Sequence, residues 1–93
     1  MNIFNSFKKY PTGWREVARR NFTQEEQDAV ESVKVVESNY GFSACFVMRS
    51  GGAAFIPMAN DVDVAVGDAI DISKAELVTL RREGNEDIFR VSI

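Results

Sequence analysis

The residues of this chain best suited to meeting a ligand are aromatics and arginines, because the usual catalytic side chains are thinly supplied. Histidine is absent, which removes the commonest general base and the ligand that most zinc sites use. The single thiol, Cys45, lies inside the run Phe42–Arg49, with neither a basic partner nor a helix N-terminus to activate it, and reads as a packed side chain. Asp61, Asp63, Asp68 and Asp71 recur at a spacing that invites calcium. The EF-hand spacing and its closing glutamate are missing, however, so solvated acids are expected, with no metal and no other cofactor. Ser50-Gly51-Gly52 lacks the strand-to-helix context and the Lys-Ser/Thr ending of a phosphate loop, and reads as a hairpin turn. The expectation is a protein that binds and does not catalyse.

Proteins that hold single-stranded nucleic acid combine exposed aromatic platforms with cations along a curved sheet. Tyr40, Arg49, Phe55, Arg81 and Arg90 could supply such a surface, and Lys8, Lys9, Arg15, Arg19 and Arg20 would add phosphate contacts. The charge is unevenly spread. Residues 1–22 carry five basic groups against one acid, whereas the rest of the chain carries six against thirteen, within a net charge of −3. A basic arm of this kind suits a polyanion; it equally suits an acidic body, its own or a neighbour's. The second reading is therefore a protein-interaction or assembly subunit, homo-oligomeric or bound to another chain through residues 1–22. Its arm would insert Phe4, Phe7, Tyr10 and Trp14 into a neighbour.

The elements that must position these residues centre on Val33–Ile56. Three apolar runs are separated by turns at Asn39-Tyr40-Gly41 and Ser50-Gly51-Gly52. In the second run Phe42, Ala44, Phe46 and Met48 alternate with Ser43, Cys45, Val47 and Arg49, the period of a half-buried strand. The pattern predicts strands at Val33–Ser38, Phe42–Arg49 and Ala53–Met58, with Pro57 at an edge or where pairing stops. Further strands are expected at Ala69–Ser73, at Glu76–Arg82 and, after the Glu83-Gly84-Asn85 turn, at Asp87–Ile93. The two runs before that turn could also form one bent strand.

Ahead of the meander, Thr23-Gln24-Glu25-Glu26 has the form of a capping box and predicts a helix over residues 23–32. Trp14, Val17 and Ala18 stand at i, i+3 and i+4, which predicts a short helix over 13–20, its apolar side covering the open end of a barrel or meeting a ligand. The chain length of 93 residues and an apolar share of 45% fit one soluble domain with one core. No apolar run is long enough to span a bilayer, no secretory leader is evident and no intramolecular disulfide can form, so a cytoplasmic protein without membrane contact is expected.

The fold class predicted is α+β, mainly β: a five- or six-stranded antiparallel barrel, OB-like or SH3-like, over residues 33–93, preceded by one or two short helices. From Val33 onward the chain resembles the small OB-type barrels of single-stranded-DNA-binding proteins. The likeness rests on Gly41 and Gly51-Gly52 in the opening meander, on Val66-Gly67-Asp68 before a strand and on Glu83-Gly84-Asn85. The general look is also similar to short accessory proteins of bacteriophages and mobile elements. One departure stands out: the OB pattern has a helix between its third and fourth strands, where this chain has only the Ala59–Val66 loop.

Overall fold

The structure, a computed structural model, describes residues 13–39, 41–59 and 63–93. Its six strands form two three-stranded antiparallel sheets. One sheet has the order β2-β3-β4, built from Val30–Ser38, Gly41–Met48 and Ala53–Pro57. The other has the order β1-β5-β6, built from Arg15–Asn21, Glu76–Arg81 and Ile88–Ser92. The sheets do not close into a barrel. Among the described residues they pair edge to edge at one place, a parallel bridge between Met58 and Val91, where the Ala59 N–H donates to the Val91 carbonyl at 3.4 Å.

The predicted meander is present. Register pairs Val33 with Phe46 and Val35 with Ala44, then Phe46 with Ala54 and Ala44 with Ile56, so these residues share one side of the sheet. That side carries the core, in which Val33, Val35, Ala44, Phe46 and Met58 cluster with Phe22, Val30, Ala75 and Val91. The rings of Phe22 and Phe46 lie 5.6 Å apart and tilted, a favourable aromatic geometry. Gly51 and Gly52 turn the chain between β3 and β4 at φ +98° and +80°, a region costly to any residue with a Cβ.

Three expectations need correction. Residues 15–21 form a strand and not a helix: β1 pairs antiparallel with β5, Arg15 opposite Arg81 and Asn21 opposite Glu76. A bulge between Glu16 and Ala18 inserts one extra residue, which destroys the two-residue alternation and leaves a helix-like spacing behind. The second predicted helix is short. α1 spans Gln24–Ala29, because β2 already begins at Val30, whose branched side chain is buried. The Ala69–Ser73 segment contributes one isolated bridge, Ala69 to Lys34, and not a full strand. It still lies along β2, since the Val35 and Ile70 N–H groups donate to the Asp68 and Val33 carbonyls at 2.9 Å each.

The capping box at α1 is formed as expected. Thr23 Oγ1 accepts from the Glu26 N–H at 3.1 Å, and a Glu26 carboxylate oxygen accepts from the Thr23 N–H at 2.8 Å. The same carboxylate receives both terminal nitrogens of Arg20 at 2.7 and 3.0 Å, tying β1 to the helix that leads into β2. Among the described residues no helix is long and apolar enough to cross a membrane.

Candidate interaction site between the two sheets

Lys8, Lys9 and Tyr40, three of the residues expected at a site, lie outside the described residues, as do Phe4, Phe7 and Tyr10 of the arm. The remaining cations are spread over several surfaces. Register puts Arg19, Val78 and Arg90 in one row across the β1-β5-β6 sheet, on the side where Val78 and Leu80 are themselves buried. Arg15, Arg20 and Arg81 project from the opposite side. Arg49 stands on the β3–β4 turn, where its Nε donates to the Asp28 carbonyl at 3.0 Å, at the end of α1.

Three of these six cations, Arg19, Arg20 and Arg81, have carboxylate partners. Arg19 meets Glu16 at 2.7 Å and Glu76 at 3.4 Å, and Arg81 holds Asp87 through two contacts of 3.0 and 3.1 Å. Hydrogen bonding to these carboxylates raises the pKa of Arg19, Arg20 and Arg81 above the ordinary value. It lowers that of Asp87. A phosphate arriving here competes with a carboxylate at each step, and the phosphate term is the main source of nucleic-acid affinity. Asp68 and Asp71 likewise serve local turns, accepting from the Ala65 and Ser73 N–H groups at 2.9 and 3.0 Å. Among the described residues no three potential metal ligands come together.

Exposed apolar side chains are found instead on β4 and at β6. Phe55 is 62% exposed and Phe89 47% exposed, with Ile88 and Ile93 also at the surface. The phase of the backbone explains what these edges offer. Met48 N–H donates to the Gly52 carbonyl at 3.1 Å and Met58 N–H to the Phe42 carbonyl at 2.9 Å, so residues 52, 54, 56 and 58 turn their peptide groups toward β3. Ala53, Phe55 and Pro57 therefore turn theirs outward. Pro57 pairs with Ser43 at a position that asks no N–H of it, which is why proline fits there and confirms the expected edge. On β6, the Val91 carbonyl faces β4, so Phe89, two residues earlier, also turns its peptide groups away from β5.

Side-chain direction adds a second observation. Ala54 shares the core side with Phe46, and Phe89 shares the core side with Val91. Both are nevertheless exposed. Among the described residues, pairing between these two strand edges is confined to the Met58–Val91 bridge, and exposed apolar side chains lie on both strands. On the outer side of β2-β3-β4, Lys34, Cys45 and Phe55 form one cross-strand row. The alternation of its run placed Cys45 on this side, and it is buried there as a free thiol, the packed side chain expected.

The sequence reading placed Phe55 at the site but not Phe89, Ala53 or Ala54. A signal was present: residues 50–60 contain no charged side chain. An uncharged strand is unusual at an exposed edge, which proteins normally guard with charge. No protein-family model, no curated protein and no solved structure matches the chain.

Proposed function

We propose that this protein is a non-enzymatic interaction module that binds another polypeptide along the exposed apolar surface of β4 and β6. The observation that supports this most directly is the exposure of Ala54 and Phe89 on the core side of their sheets. Burying an aromatic side chain fully is worth about 1.5–3 kcal/mol, so partly exposed phenylalanines on both strands, Phe55 and Phe89, offer sizeable anchors. The acidic balance of the molecule and its carboxylate-paired arginines favour a protein partner over a polyanion.

The competing reading is single-stranded nucleic acid, favoured by the position of Phe89 on the same side of its sheet as Arg15 and Arg81. Two measurements on the full chain separate the readings. A displayed library of random ten-residue peptides, panned against the immobilised protein, yields binders that are lost on the double substitution Phe55→Lys, Phe89→Lys. Labelled oligo-dT shows no salt-sensitive binding in the same buffers. Oligo-dT binding that weakens with salt, with no peptide enriched, overturns the protein-interaction reading.

A further inference from the structure

We infer, on the basis of the protein-interaction reading, that the bound segment carries one acidic side chain beside its apolar residues, and that Arg15 receives it. Register places the parts on one face. Arg15 lies opposite Arg81 and Phe89 opposite Thr79, and Leu77, Thr79 and Arg81 alternate along β5 on the side that carries Val91 and the core. On the other sheet, Ala54 and Ile56 share the side of Phe46 and Ala44. Cα atoms of β4 and β6 come within 8 Å of each other, and the two strands pair in parallel at Met58 and Val91, both core side chains. Two residues back from that bridge on each strand stand Ile56 and Phe89, on the same side. Apolar surface at Ala54, Ile56 and Phe89 thus gives way, across β5, to Thr79, Arg81 and Arg15. Ala54, Phe89, Arg81 and Arg15 are all exposed.

The charges on this face leave one cation unanswered. Arg81 is held by Asp87 through contacts of 3.0 and 3.1 Å, so the two opposed arginines share a single carboxylate. Like charges directly opposite each other destabilise a sheet. Among the described residues Arg15 has no carboxylate partner. A guanidinium donates two parallel N–H bonds to a carboxylate, so one acid from a partner would balance the pair. A run of phosphates fits less well, because Glu83, Glu86 and Asp87 crowd the turn between β5 and β6.

The strand spacing sets how the partner is built. Arg15 and Phe89 stand two strands apart and two residues apart along them, about 10 Å across and about 7 Å lengthwise. The long arginine stem narrows that separation. The acid and the apolar anchor therefore belong about two to four residues apart in the partner.

The random ten-residue library tests this. Panned against the parent, it should yield binders with one Asp or Glu within about four residues of an aromatic or aliphatic residue. Panned against Arg15→Glu, it should enrich Lys or Arg in place of that acid. A synthetic copy of a parent-selected peptide should bind Arg15→Gln about tenfold more weakly, and its affinity for the parent should fall with added salt. Binders that lack an acid, or that hold Arg15→Gln as tightly as the parent, overturn the acidic contact while leaving protein binding in place. Failure to recover any peptide overturns both. If Arg15→Gln loses its parental circular dichroism, the acid content of the parent-selected peptides decides alone.

Discussion

Replacing Glu26 by glutamine tests whether the contact between β1 and α1 is energetically significant. Its carboxylate lies between Arg20 and the Thr23 N–H, and these bonds, that to Arg20 first, lower its pKa from 4.5 to about 2. Taken at face value, a shift of that size corresponds to ~3 kcal/mol. The side chain is 38% exposed, so water and salt screen the attraction, and about 1 kcal/mol is the expected contribution. The sign follows from the direction of the shift. A carboxylate whose pKa is depressed by folding stabilises the fold above pH 4.5 and loses that contribution as the pH falls toward 2. Glutamine still accepts from the Thr23 N–H, so Glu26→Gln removes the charge and spares the cap. Urea unfolding of parent and variant should differ by about 1 kcal/mol at pH 7 and converge near pH 2. Taking the difference between the two proteins cancels the titration of Asp71 and Asp87, whose pKa values are also lowered. Equal stability at pH 7, or a gap that persists unchanged at pH 2, would refute the reasoning.

Three further outcomes follow from the packing and the turns. Leu80→Ala, at a side chain with no exposed surface, should cost about 2–5 kcal/mol in urea unfolding. Gly52→Ala, at φ +80° with open space around the added Cβ, should cost about 1–2 kcal/mol through backbone strain alone, seen as a lower melting temperature. Asp87→Asn breaks an exposed ion pair with Arg81 and should leave the urea midpoint unmoved at neutral pH.

Local pattern and long-range pairing account for what could and could not be read from the chain. β2, β3 and β4 are consecutive, and their alternation and turn glycines lie within one stretch, so both strands and register sides were legible. The capping box was legible for the same reason. β1 was not, because its partner β5 begins at Glu76, and the bulge at Val17 mimics helical spacing. The exposed apolar surface on β4 and β6 was least legible of all. Phe89 and Val91 were correctly placed on one side of the last strand, yet only the assembled sheets leave one of them exposed and the other buried. Arginine positions suggested a basic surface, but the carboxylates that hold Arg19 and Arg81 come partly from other segments, Glu76 and Asp87.

The row formed by Lys34, Cys45 and Phe55 turns the only thiol of the chain into a clock. Cys45 is buried on the outer face, flanked by Lys34 of β2 and Phe55 of β4, so an alkylating reagent reaches it fully only when the side chains around it move aside. Its labelling rate in native buffer thus reports local opening of this face, motion of β4 included. Anything that fastens β4 from its free side should slow the clock, and no engineered label is needed to see it.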